Sequence, residues 1–181
     1  MNTVQPIRDK TKIKAMKEAL LRRSHRDYML FIIGINTGLR VSDLLTLKVS
    51  EVKGKDVHII REGKTGKVRR IHINSTIKKE IESYTADKEP HEYLFQSRKG
   101  DNKPIGRVQA YTILNNAAKA VGLDEIGSHS LRKTFGYWHY QQNKDVAVLQ
   151  NILNHSTPAV TMRYIGISDD MIQQSLEAFV L

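Results

Sequence analysis

Apolar residues in the first forty positions recur with the spacing of helices. Between Thr11 and Arg23, Ile13, Met16, Ala19 and Leu20 share one face, with Lys and Arg filling the other. The stretch "RDYMLFIIGIN" (26–36) is too apolar for a surface helix and predicts a buried one, closed by Gly38. A short helix is expected over "VSDLLTLK" (41–48), with Ser42 or a neighbour as its cap. After Gly54 the period changes to two. "DVHII" (56–60) and "VRRIHI" (68–73) alternate apolar with polar residues around "EGKTGK", which predicts two strands joined by a glycine-bearing turn. Asn74 is placed to cap a helix reaching about Ala86, "HEYLF" (91–95) reads as a short extended piece, and "SRKGDNKPIG" (97–106) as a loop rich in breakers. Helices are expected again over 107–121, ended by Gly122, and over 130–143, 145–154, 158–164 and 168–180. In the last, Ile172, Leu176, Phe179 and Val180 form one apolar stripe, while Asp169 and Asp170 lie at its positive end. The fold class is therefore mainly α with a small antiparallel β-sheet (α+β), in a single domain over residues 1–181.

Charge sharpens this picture. Lys and Arg outnumber Asp and Glu by 29 to 19 in 181 residues, a net charge of +10 that points to a polyanion, above all nucleic acid. The absence of cysteine removes disulfides, thiolate zinc sites and thiol nucleophiles, and fits a reducing compartment. The N-terminus has no apolar stretch of signal-peptide length, and none of the ~20 residues needed for a membrane span occurs. A soluble, cytoplasmic protein with no membrane contact is expected.

The polar residues then assemble into a constellation. "TGLRVSDLL" places Arg40 just after the buried helix, with Asp43 three residues on as a candidate ion-pair partner. "HSLRKTF" puts His129 and Arg132 at i and i+3, so that on a helix they face one spot, as an anion site requires. Lys64 sits at the hairpin tip between two glycines, and His155 precedes Tyr164 by nine residues. Two arginines, a lysine, two histidines and a tyrosine are what chemistry on a phosphodiester asks for. The arginines grip non-bridging oxygens and stabilise a pentavalent transition state. The histidines supply hydrogen bonds or proton transfer near neutral pH. A lysine can protonate a leaving alkoxide, and a tyrosine hydroxyl can attack phosphorus. Tyr137, Trp138 and Tyr140, on the helix after His129, read as packing residues. No His-Glu-x-x-His helix, calcium loop or Walker loop is present, and neither metal nor cofactor is expected.

These residues carry a resemblance to the catalytic domain of the tyrosine recombinases, the phage-integrase family. "TGLRVSDLLTL" resembles the family's first arginine box, "GKTGK" its hairpin lysine, "HSLR" its His-x-x-Arg motif, and "LNHSTPAVTMRY" its second histidine followed by the nucleophile. The order and spacing match from about residue 5 to 175. The resemblance implies an active site of Arg40, Lys64, His129, Arg132, His155 and Tyr164. It further implies strand cleavage through a 3′-phosphotyrosyl intermediate with a free 5′-hydroxyl, which a partner strand then attacks. Arg69, Arg107, Lys133 and Arg163, each near one of the motifs, are candidate contacts to double-stranded DNA. Two positions depart from the family pattern: Asn154 stands where glycine is common, and Lys133 where histidine is frequent. The N-terminal helical domain usual in the family is expected to be absent. The segment after the nucleophile commonly docks on a neighbouring protomer in this family, so self-association on DNA through the last helix is expected, beside the plain reading that its stripe packs on its own domain. A non-enzymatic DNA-binding module on the same fold, or a relaxing topoisomerase of the type IB kind, would share much of this pattern.

Overall fold

The computed structural model describes residues 4–124, 126–127 and 129–179. Helix α1 (Lys10–Arg23) begins where the Asp9 carboxylate accepts a hydrogen bond from Thr11 N at 2.7 Å, and it buries Met16 and Leu20. Helix α2 (His25–Thr37) is the central element: Met29 through Ile33 are all buried, and it packs against α1 and four helices that come later in the chain. At ~1.5–3 kcal/mol for each large apolar side chain fully removed from water, this helix anchors the fold. It ends as expected at Gly38, whose φ of 61° is left-handed. A Cβ there would also meet the Phe135 ring at 2.4 Å, so glycine is required on both counts.

The expected helix over 41–48 is shorter. Helix α3 (Val41–Leu44) stops after one turn, and its N-cap is Arg40, without a capping side chain. The reason lies in the extended piece at 92–94. Leu94 N donates to Leu47 O at 2.8 Å and Val49 N donates to Glu92 O at 2.9 Å, claiming the backbone groups a continuing helix would need. A further short helix, α4 (Val49–Val52), follows. Strands β1 (Val57–Arg61) and β2 (Val68–His72) pair antiparallel, from Val57 opposite His72 to Arg61 opposite Val68. Helix α5 (Ser75–Tyr84) starts at the Asn74 side chain, which accepts from Ile77 N. The remaining helices are α6 (Arg107–Ala120), α7 (Ser130–Asn143), α8 (Val146–Leu153), α9 (Pro158–Ile165) and α10 (Ile167–Glu177).

Two apolar clusters result. The larger is built from α1 to α7 and the hairpin. The smaller contains Leu149, Leu153, Ile165 and Ile167, with Phe135, Tyr137 and Tyr140 of α7 packed against it. Helix α7 thus serves both, and the N-terminal segment is tied to it: Ile7 N donates to Thr134 Oγ1, and Trp138 Nε1 donates to Ile7 O, both at 2.9 Å. Tyr137, Trp138 and Tyr140 are accounted for by this packing. The stripe of α10 does not join either cluster. Ile172, Leu176 and Phe179 are 59%, 67% and 65% exposed, and Val180 lies outside the described residues. Packing of that stripe on its own domain is therefore not observed. Among the described residues no helix is long and apolar enough to cross a membrane.

Candidate active site

The left-handed turn at Gly38 does more than end α2. It presents the Gly38 carbonyl to two guanidiniums, Arg69 Nη1 at 3.0 Å and Arg132 Nη1 at 2.8 Å. Arg132, in the first turn of α7, is buried; its Nη2 donates to Leu153 O at 2.6 Å, at the end of α8. One side chain therefore spans the ends of two helices that are far apart in sequence. A guanidinium has five N–H donors, so two such bonds leave others for an anion.

At the centre of the arginines lies Glu62, 0% exposed at the end of the hairpin's first arm. Arg40 Nη1 approaches Glu62 Oε2 to 2.6 Å, Arg132 Nη1 lies 3.6 Å and Arg69 Nη1 4.0 Å from Oε1. Burial pushes the Glu62 carboxyl up, but its contacts with Arg40 and Thr65 and the charges of Arg40 and Arg132 outweigh that and hold it below the usual carboxylate range. The expected Arg40–Asp43 pair is the looser one, at 3.9 Å. Asp43 instead accepts from Gly63 N at 3.0 Å, tying the base of the Lys64 loop to α3.

Arg40, Asp43, Lys64, Arg107 and His129 line one open cleft of about 590 Å³. Tyr164 reaches the same place from α9. Its hydroxyl lies 3.4 Å from His129 Nδ1, and its ring centroid lies 4.9 Å from that of His155. All six residues expected in the site therefore converge, from α3, the hairpin, α7, the α8–α9 turn and α9. Burial raises the Tyr164 phenol, against the opposing pull of Arg132 and Arg40, so it is neutral at pH 7 and needs a base. Burial and the repulsion of Arg132 and Arg40 hold His155 down to about 4. Burial and the charges of Lys64 and Arg132 also lower His129. Both imidazoles are thereby kept neutral. Thr161 Oγ1 donates to Thr157 O and lies 3.1 Å from His155 Nδ1, a chain that places the imidazole proton on Nδ1 and leaves Nε2 as acceptor.

Two of the four expected DNA contacts are corrected. Arg69 is buried, donating to the Thr37 and Gly38 carbonyls, and burial together with the Arg132 charge lowers it to about 10. It braces the end of α2 with both of its Nη groups. Lys133 is also largely buried, with Nζ 5.3 Å from the Tyr164 ring centroid, where its charge is spent on the ring face. Arg107 and Arg163 are exposed.

The description "Phage integrase family" fits residues 7–171 of this chain. The chain belongs to the phage integrase family. Within that family it is 53% identical over 179 residues to the "Probable integrase/recombinase YoeC" of Bacillus subtilis (strain 168), covering 99% of this chain and 98% of the relative. It is 29% identical over 155 residues to the tyrosine recombinase XerA of Pyrococcus horikoshii, covering 84% of this chain but 54% of the relative. The chain thus spans about half the length of that longer recombinase. Among solved structures, the XerA recombinase crystal structure superposes with a TM-score of 0.75 at 21% identity, over 99% of this chain and 68% of that one. XerH site-specific recombinase bound to palindromic difH substrate, a post-cleavage complex, gives 0.72 at 18% identity over 98% and 54%. The fold is that of these recombinases.

As a phage integrase family member the chain departs from pattern at Asn154, and the geometry explains why the change is tolerated. Asn154 caps α8 in the left-handed region, at φ 53°, a conformation that glycine adopts freely and asparagine adopts more readily than other side chains. Glu62 is the member of the site that motif reading missed.

Proposed function

We propose that this chain cleaves and rejoins double-stranded DNA in site-specific recombination or integration, with Tyr164 as the nucleophile. The observation that carries the reading is the convergence of a neutral phenol and a neutral imidazole 3.4 Å from its oxygen on the open, basic cleft lined by Arg40, Lys64 and Arg107, with Arg132 buried beside Glu62 and Arg40. His129 Nδ1 accepts the phenolic proton when its own proton sits on Nε2. The Tyr164 oxygen then bonds phosphorus while the bond from phosphorus to the 5′-oxygen breaks. Arg40 and Arg132 hold the non-bridging oxygens, the His155 ring packs edge to face against the Tyr164 ring, and Lys64 delivers a proton to the departing 5′-oxygen. Attack by a 5′-hydroxyl of a second strand reverses the step with exchanged connectivity, and the phosphotyrosine conserves the bond energy. The same reading places the protein with its DNA in the cytoplasm, and Arg107 and Arg163 on the phosphate backbone. A partner accounts for α10: its exposed Ile172, Leu176 and Phe179 suit docking on a second protomer assembled on the same DNA.

A nicked suicide DNA tests the chemistry. Wild-type protein forms a denaturation-resistant adduct, whereas Tyr164→Phe binds the DNA and forms none; an adduct on the Phe variant would mean another nucleophile. Recombinant products mark strand exchange, and relaxed circles alone would favour the topoisomerase reading. Truncation after Ser168 weakens assembly on two-site DNA in sedimentation, and unchanged assembly would remove α10 from the interface.

A further inference from the structure

Three guanidiniums, two of them buried, cannot share one wall of a site without a counter-charge, and Glu62 is placed to supply it. Its carboxylate is fully enclosed by Arg40, Arg69 and Arg132, at 2.6, 4.0 and 3.6 Å, and its backbone is part of the loop that carries Lys64. Glu62 N donates to Lys67 O, Gly66 N donates to Glu62 O, and Thr65 Oγ1 donates to Glu62 Oε2 at 2.7 Å. The residue therefore belongs to the arginine cluster and to the lysine loop at once. The manner of contact matters as much as its closeness. Arg40 Nη1 is enclosed against Glu62 Oε2 at 2.6 Å, whereas neither Glu62 Oε1 nor Arg69 Nε is hydrogen-bonded among the described residues. Glu62 offsets the repulsion between the guanidiniums through the enclosed Arg40 Nη1 and leaves the other N–H groups of Arg40 for a phosphate oxygen. Asp43 cannot take this part, since one oxygen is committed to Gly63 N and the other stands 3.9 Å from Arg40.

We propose that Glu62 is a positioning residue for the strand-cleavage reaction: it holds the Arg40 and Arg132 guanidiniums and the Lys64 loop in one fixed arrangement, so that the phosphate clamp and the leaving-group acid form together. The proposal rests on the cleavage reading above. It assigns Glu62 no contact with DNA, so its loss acts on the rate of the chemical step and leaves affinity almost untouched.

Single-turnover cleavage of a nicked suicide DNA, with DNA affinity and thermal unfolding measured on the same proteins, tests it in the full chain. Glu62→Gln keeps the shape and removes the charge; its cleavage rate should fall about 100-fold, the scale of losing one oriented donor, with affinity within about threefold. A purely structural role is separated by a cycle with Arg40→Lys. If Glu62 acts through Arg40, the double variant is within about threefold of the slower single variant, whereas losses that multiply overturn the proposal. Should Glu62→Gln fail to fold, Glu62→Asp retains the charge but withdraws it by one methylene. It should cleave at least about tenfold slower than wild type at unchanged affinity, and wild-type cleavage would overturn the proposal. Failure of wild-type protein to form any adduct would instead remove the cleavage reading and this proposal with it; wild-type cleavage matched by Glu62→Gln would remove only the proposal.

Discussion

Gly136 sets how close the nucleophile's helix can come to α7, and replacing it with alanine is a direct test of how packing places Tyr164. A Cβ at 136 would lie 2.6 Å from Ile165 Cγ2 and 3.4 Å from Leu153 Cδ1, whereas ordinary van der Waals contact begins at 3.4 Å. Ile165 must therefore retreat by roughly 0.8 Å, and it is fully buried, with little room to turn. Overpacking of this kind costs about 1–3 kcal/mol, while exchanging glycine for alanine within a helix returns about 0.5–1 kcal/mol, so the net destabilisation expected is about 0.5–2 kcal/mol. The effect on chemistry is larger, because Tyr164 adjoins Ile165 and a shift near 1 Å at reacting atoms costs up to about 100-fold in rate. Urea unfolding should show this loss of stability, and adduct formation on suicide DNA should slow while DNA affinity stays near the wild-type value. Gly136→Ala protein that is destabilised yet cleaves at the wild-type rate would refute the idea that this contact positions the tyrosine.

Acid should act through His155. Its folded-state value of about 4 lies below the ordinary 6.5, so the unfolded chain binds the extra proton first and stability is lost as pH falls through that window. Urea midpoints of His155→Gln should decline less between pH 7 and 4.5 than those of wild type, and parallel curves would contradict this. Lys64→Ala should slow cleavage far more than it weakens binding, and DNA with a 5′-bridging sulfur, whose thiolate needs no proton, should recover much of the rate; an equal defect on both substrates would reduce Lys64 to a loop anchor. The exposed Arg107 and the buried Arg69 should part company. Arg107→Ala lowers the log-log salt slope of DNA binding by about one unit, whereas Arg69→Ala leaves the slope and costs about 2 kcal/mol of stability, since it strands the buried Thr37 carbonyl, leaves the Gly38 carbonyl to Arg132 alone and weakens the pairing of Glu62. The reverse pattern would contradict the burial argument.

Periodicity located every helix of eight residues or more, because each carries both an apolar face and a punctuating residue: Gly38 after α2, Asn74 before α5, Gly122 after α6. It overran α3, whose end is fixed by backbone bonds to residues 92 and 94, which no local pattern can reveal. The six polar residues of the site were legible because their spacing follows a family pattern. Glu62 was not, since a single glutamate at a hairpin reads as a solvated charge until α3, α7 and β2 close around it. Arg69 did carry a signal. In a strand alternating by two it falls on the side of Ile71 and Ile73, both buried, and that parity outweighs the usual preference of arginine for water.

The division of the interior into two apolar clusters bears on how the molecule comes apart. Tyr164 rides on the smaller one, whose fully enclosed members Leu149, Leu153, Ile165 and Ile167 all belong to α8, α9 and α10, while α2 is locked into the larger. Opening the smaller cluster exposes only a fraction of the surface that global unfolding exposes, so its amides exchange through a fluctuation with a shallow denaturant dependence. The nucleophile is thus expected to loosen apart from α2, and the bond from Arg132 to the Leu153 carbonyl is a tie to the arginine wall that such an opening has to break.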